Sequence, residues 1–303
     1  MTSSAPPPTA SAADQPSRFA GINRNVAALG VISLLNDLSS EMIIPVLPLF
    51  VTRTLKASVA SMGLIDGVAD ATAALIRIPA GRISDRIGQR KPFVGFGYGI
   101  STAAKGAMGI AQTWPAVLGL RFTDRVGKGL RSPPRDALIA DSVDRAWLGR
   151  AFGFHRAMDT TGAVLGPLVA FFMLRAVPDD FRRIFLWSVV PGVLALVVLA
   201  VFVRAPAQKP VERLRSFSLE LRERPAVTRF LVTAGVFALA NSNLSFLLLR
   251  TSQVGFSPTQ VPLVYTAYNI IYAGLSWPIG ARSDRVGRRP MLFGAYLMLI
   301  IWH

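Results

Sequence analysis

The stretch GRISDRIGQRKP, Gly81 to Pro92, sets one Asp among Arg82, Arg86, Arg90 and Lys91, between two long apolar runs. At an offset of 199 residues the chain repeats it as GARSDRVGRRP, Gly280 to Pro290. The repeat extends beyond the charges: Leu64, Pro79, Gly81, Ser84, Asp85, Arg86, Gly88, Arg90 and Gly95 fall on Leu263, Pro278, Gly280, Ser283, Asp284, Arg285, Gly287, Arg289 and Gly294. An internal repeat that carries an apolar span together with its loop implies two homologous helical bundles.

Composition agrees. Of 303 residues, 51% are apolar and only 17% charged, where an ordinary soluble domain has about 25% charged. A bilayer core of about 30 Å needs about 20 mostly apolar residues in a helix. The chain supplies such runs at approximately 25–50, 57–80, 92–112, 115–132, 148–174, 183–203, 229–250 and 258–279, with a ninth beginning at Met291. Because unsatisfied backbone groups are too costly in hydrocarbon, these runs are expected to be helical even where proline interrupts them.

Lys and Arg set the expected sidedness. With the amino terminus in the cytoplasm, the inside segments 18–24, 81–91, 128–150, 204–229 and 280–290 hold 22 of the 33 basic residues, and the outside loops hold 6. The net charge of +16 is therefore spread over alternate loops, which speaks against a nucleic-acid partner. Four regions follow: a disordered, Pro- and Ser-rich cytoplasmic tail at 1–24, a six-helix bundle at 25–204, a basic cytoplasmic linker at 205–228, and the start of a second bundle at 229–303. The second bundle stops short, so the chain reads as a fragment or a truncated product. The absence of Cys and the presence of only two His, His155 and His303, give no basis for a metal centre or cofactor. No nucleophile, base and orienting group stand at a recognisable spacing, so the chain is not read as an enzyme.

The arrangement G-x-x-S-D-R-x-G-x-R between spans 2 and 3, returning between spans 8 and 9, resembles the signature loop of the major facilitator superfamily of secondary transporters. The run RFTDRVGKG, Arg121 to Gly129, is similar to the family's fourth-helix motif, although Arg125 stands where a glycine is usual. The run GAVLGP resembles the fifth-helix motif associated with antiporters, through Gly162, Gly166 and Pro167, but lacks the glycine pair expected after the proline. DLSSEMIIPVLPLF and DRVGKGLRSPPRDALIADS look like a bacterial branch. The resemblance implies an all-α polytopic membrane protein with about 8–9 of the fold's 12 transmembrane helices. It further implies a monomer in the plasma membrane that moves a small solute by alternating access. Proton-coupled efflux is the leading expectation. Uptake, or a non-transporting receptor or remnant, are the alternatives.

Within the loop and its copy, Gly81, Asp85, Arg86, Gly88, Arg90, Gly280, Asp284, Arg285, Gly287 and Arg289 are read as a cytoplasmic gate lock: glycines for close approach and a tight turn, Asp to accept from Arg or from a helix amino end. Ionisable residues inside spans are expensive and so mark sites. Span 1 carries Asp37 and Glu41 on one face, span 2 Asp66 and Asp70, span 3 Lys105, span 4 Arg121, Asp124, Arg125 and Lys128, and span 5 His155, Arg156 and Asp159. At 1.5 Å per residue, Glu41 and Arg121 lie roughly 12 and 9 Å from the outer ends, and Asp37 and Arg125 roughly 18 and 15 Å. Two carboxylate–guanidinium pairs across spans 1 and 4 are thus expected, and Asp37, Glu41, Arg121 and Arg125 are the expected proton-coupling group. Asp66, Asp70, Lys105 and Asp159 are secondary, the two aspartates answering Lys105 or Asp159. The second half offers uncharged polar residues for the solute, foremost Asn241, Asn243, Tyr265 and Asn269. Gly162 and Gly166 present a small face expected to pack on the opposite bundle.

Overall fold

A computed structural model of the chain describes residues 22–204 and 244–286, with isolated positions between 225 and 298. Asn241, Asn243, Gly287, Arg289 and nearly all of the predicted linker lie outside the described residues. For Gly280, Asp284 and Arg285 only the helical backbone is described.

The described residues are helical. Helix α1 (Arg24–Glu41) opens on Asn23, whose side chain accepts from the Val26 amide at 3.0 Å. It does not run on to residue 50 as one helix. A turn over 42–46 breaks it, followed by the short α2 (Leu47–Leu49), with Pro48 in its first turn, and a π-helical turn (Phe50–Thr54). Proline in a first turn sacrifices no hydrogen bond, which is why the chain restarts there. Helix α3 (Val59–Ile87) is capped by Ser58, and α4 spans Arg90–Met108. The repeated stretch is therefore mostly helix and not loop: α3 continues through Asp85 and Arg86, and the connection is only Gly88 and Gln89. Gly88, at φ 68°, adopts the left-handed conformation that ends helices at little cost only without a Cβ.

Helix α5 (Trp114–Asp141) likewise extends beyond its predicted end and takes in Pro133 and Pro134. Helix α6 (Leu148–Ala176) is joined by four residues to α7 (Phe181–Trp187), which continues through Ser188 into α8 (Val189–Phe202). Of the second half, α9 (Leu244–Gln253) and α10 (Val261–Val286) are described. Among the described residues, three segments, Val59–Ile87, Arg145–Ala176 and Phe181–Phe202, are long and apolar enough by themselves to cross a bilayer.

Packing follows two apolar cores, one at each end. At the α1 amino end, Val26, Leu29 and Ile32 meet Val94, Tyr98, Leu138, Ala195 and Leu199. There Lys91 donates to the carbonyls of Ala200 and Val203, and Asn25 clasps the Arg204 backbone in both directions, at 2.7 and 3.0 Å. At the other end, Ile43 to Val51 meet Met62, Phe181, Phe185, Leu248, Leu249 and Val261. Between these cores lies a layer of charged and polar side chains.

Candidate functional site: a charged layer between two apolar cores

Helix α1 is clamped to α6 through two glycines. A Cβ on Gly162 would meet the Leu34 carbonyl oxygen at 2.6 Å and the Asp37 Cβ at 3.0 Å; one on Gly166 would meet the Glu41 Cβ at 2.7 Å. The small face of α6 thus packs on α1 of its own bundle, not on the opposite one as expected. Only a surface without side chains lets the two backbones approach this closely. The same contact aims the Cβ atoms of Asp37 and Glu41 at α6 and decides what those carboxylates can reach.

The expected pairs with Arg121 and Arg125 do not form. Arg121 donates instead to Asp124 on its own helix at 3.3 Å, and Arg125 lies 3.7 Å from the same carboxylate, which also accepts from Ser101. Partners at i, i+3 on one helix stay within reach in every conformation, whereas the α1 carboxylates stop short of ion-pair distance to Arg121 and Arg125. Asp37 accepts from Asn36 at 3.1 Å, and Glu41 accepts from the Tyr265 hydroxyl at 2.6 Å. Neither carboxylate makes an ion pair among the described residues, and both keep part of their surface accessible. The charges that face Asp37 are Asp159, Lys128, Arg135 and Arg131; Glu41 faces Asp37, Lys128 and Arg125.

Lys105 is 1% exposed and donates to Ser39 at 2.6 Å and Ser40 at 3.2 Å, so it fastens α4 to α1 and does not answer Asp66 or Asp70. Asp66 is buried and hydrogen-bonded by Ser245 of α9, while Asp70 is exposed. Asp159 accepts from Ser33 of α1 and lies 3.7 Å from His155 Nδ1. Residue spacing did not single out Lys128, although it shares a face with Arg121 and Arg125. It is the cation that faces both α1 carboxylates.

Asn269 donates to the Ala163 carbonyl at 2.9 Å, and Arg53 to Ser252 at 2.6 Å. These contacts, with Glu41–Tyr265 and Asp66–Ser245, join the two halves at the end where α1 finishes. Tyr265, Tyr268 and Tyr272 stack along α10 with ring centroids 6.0 and 6.3 Å apart. At the opposite end, where the repeated stretch lies, Arg90 binds Asp85 at 3.5 Å and also Asp141 at the tail of α5, drawing three helix ends together. Gly81 lies against Pro133, a contact in which an added Cβ would come within 3.3 Å. Arg86 is exposed. Among the described residues no group of three or more His, Asp or Glu is placed to hold a metal.

The sequence matches the family model of the Major Facilitator Superfamily over residues 29–302. The chain belongs to this superfamily of membrane transporters. It is 33% identical over 284 residues to an uncharacterized MFS-type transporter of Methanocaldococcus jannaschii, covering 91% of this chain and 70% of that protein. It is 28% identical over 218 residues to the multidrug resistance protein MdtH of Salmonella arizonae, covering 68% of this chain and 50% of that one. Its fold is like that of a bacterial homologue of the human lysosomal transporter Spinster in an inward-facing, unoccupied conformation. That likeness has a TM-score of 0.70 at 20% identity, over 87% of this chain and 63% of the other. The major facilitator chain is thus a multi-pass helical membrane protein, and it spans only part of the length of each of these relatives.

Proposed function

We propose that the chain forms the greater part of a monomeric secondary transporter in the plasma membrane, with its amino terminus in the cytoplasm. It moves a small solute by alternating access and exchanges it for protons. The observation that carries this reading is Glu41. This carboxylate sits beside the clamped α1–α6 contact, has no cation paired to it among the described residues, and is held by a tyrosine hydroxyl from the other half of the molecule. A hydrogen bond to a carboxylate is roughly twice as strong as one to a neutral acceptor. Taking up a proton at Glu41 therefore weakens the bond to Tyr265 and loosens the halves at that end; losing it tightens them. With the amino terminus inside, the joined end faces outward. Asp37, one turn away, and the shared cation Lys128 complete the group. Export, in place of uptake, is supported by the likeness to a multidrug resistance protein and by Gly162, Gly166 and Pro167 in the fifth span.

The test is solute-dependent proton movement in proteoliposomes across a solute panel, read with an entrapped pH dye. The expected result is movement in the native chain and its loss in both Glu41→Gln and Asp37→Asn. Undiminished movement in both variants would sink the assignment.

A further inference from the structure

Adjacent arginines in α7 have opposite tasks. Arg182 turns inward: it donates to the Gly109 carbonyl at 2.8 Å and lies 5.2 Å from the centre of the Phe50 ring. Arg183 turns outward, and its guanidinium has no hydrogen bond or ion pair among the described residues. Its backbone amide is taken by the Asp180 carboxylate at 3.2 Å, as the cap of α7.

Arg183 stands over a cleft of about 470 Å³ between the last two turns of α6 and the start of α7. The α6 wall is Val169, Phe172, Met173 and Ala176; the α7 wall is Arg183 and Trp187. The spacing i, i+3, i+4, i+7 on one side and i, i+4 on the other makes each wall a single helical face. Apart from Met173, which also packs against the core, this is not the face α6 turns to the protein. Gly162 and Gly166 meet α1, Ala163 meets Asn269, and Ala170 and Leu174 enter the core. Phe172 is 61% exposed and Trp187 52%. Both walls belong to segments apolar and long enough to span a bilayer, so the cleft lies on a face suited to contact with lipid.

We propose that this cleft is a binding site for one anionic phospholipid, with an acyl chain along α6 and the phosphate on Arg183. The cleft runs about 10 Å from Ala176 to Val169 along the helix axis. The unengaged guanidinium at its mouth matches a phosphate oxygen pair in geometry and charge. Trp187, one turn deeper, offers the amphipathic ring that favours the boundary between headgroup and chain. A bare snorkelling arginine would need neither the apolar trough beneath it nor the tryptophan beside it. The inference does not depend on what the protein transports.

Native mass spectrometry of the purified full chain tests it, against an equimolar mixture of phosphatidylglycerol and phosphatidylcholine with matched acyl chains. The expected result is one retained phosphatidylglycerol, preferred by roughly tenfold or more and not displaced by inorganic phosphate. Arg183→Gln removes the preference, and Arg175→Gln, near the same end of α6 but outside the cleft, keeps it. A native chain without headgroup preference overturns the proposal, as does a preference unchanged in Arg183→Gln, lost equally in Arg175→Gln, or displaced by phosphate. Should Arg183→Gln fail to fold, brominated lipids in the native chain give an independent reading. Quenching of Trp187, isolated by difference from Trp187→Phe, is expected to be stronger with brominated phosphatidylglycerol than with brominated phosphatidylcholine; equal quenching overturns the site.

Discussion

Replacing Gly166 by Val drives a side chain into the α1–α6 contact. The new Cβ would stand 2.7 Å from the Glu41 Cβ, 2.9 Å from the Glu41 carbonyl carbon and 2.9 Å from the Met42 nitrogen. Two of those three atoms are backbone, so no rotamer change relieves the overlap and the helices must part. Overpacking of this kind costs about 1–3 kcal/mol, against a helix-propensity gain of only a few tenths for Val over Gly. Gly153, on the same helix, has nothing among the described residues within 4 Å of its added Cβ. Gly153→Ala is therefore expected to stabilise by about 0.5–1 kcal/mol through backbone entropy alone. The pair predicts opposite signs within one helix. Thermal unfolding of each variant in the same detergent, followed by tryptophan fluorescence, is expected to show a lower Tm for Gly166→Val and an unchanged or higher one for Gly153→Ala. Equal shifts in the same direction would refute the clamp.

Two further outcomes follow. Tyr265→Phe removes the hydroxyl that holds Glu41, a charged hydrogen bond of about 1.5–3 kcal/mol. Spin labels at Thr54→Cys and Val254→Cys, both exposed positions in a chain free of cysteine, are expected to report a wider distance distribution in the variant, and superimposable distributions would count against the bond as a latch. Gly88→Ala forces a Cβ into the left-handed turn at φ 68°, at a cost of about 1–2 kcal/mol; denaturant unfolding is expected to show that loss, while the exposed Gly149→Ala, with open space around it, shows none.

Much of the architecture was legible because it rests on local and periodic signals. The apolar runs reappear as α3, α6 and α7–α8, with ends shifted by a few residues, and Gly88 marked the turn that its positive φ confirms. The extent of α3 and α5 was not legible. Charged residues such as Arg82, Arg86, Lys128 and Arg135 signalled a loop by composition, yet a helix emerging from the bilayer loses nothing by continuing with polar residues in water. The charge pairing was misjudged for a different reason. Depth along the helices placed Asp37 and Glu41 level with Arg125 and Arg121, but depth says nothing of rotation. The glycines that set the rotation of α1 lie on α6, more than a hundred residues away. Tyr265, taken as a solute contact by its polarity, is engaged by Glu41 across a separation only the fold could close.

The broken α1 has a mechanical consequence. Below the turn at 42–46 the helix is bolted to α6; above it, the short helical piece is fastened to α9 through Arg53 and Ser252. Two stiff rods fixed to different neighbours concentrate bending in the joint between them. In that joint Ile43 and Ile44 both draw on the carbonyl of Ser40, at 3.1 and 3.3 Å. A tilt of the outer piece with the second half would therefore be taken up at those five residues, leaving the rod that bears Asp37 and Glu41 in its seat.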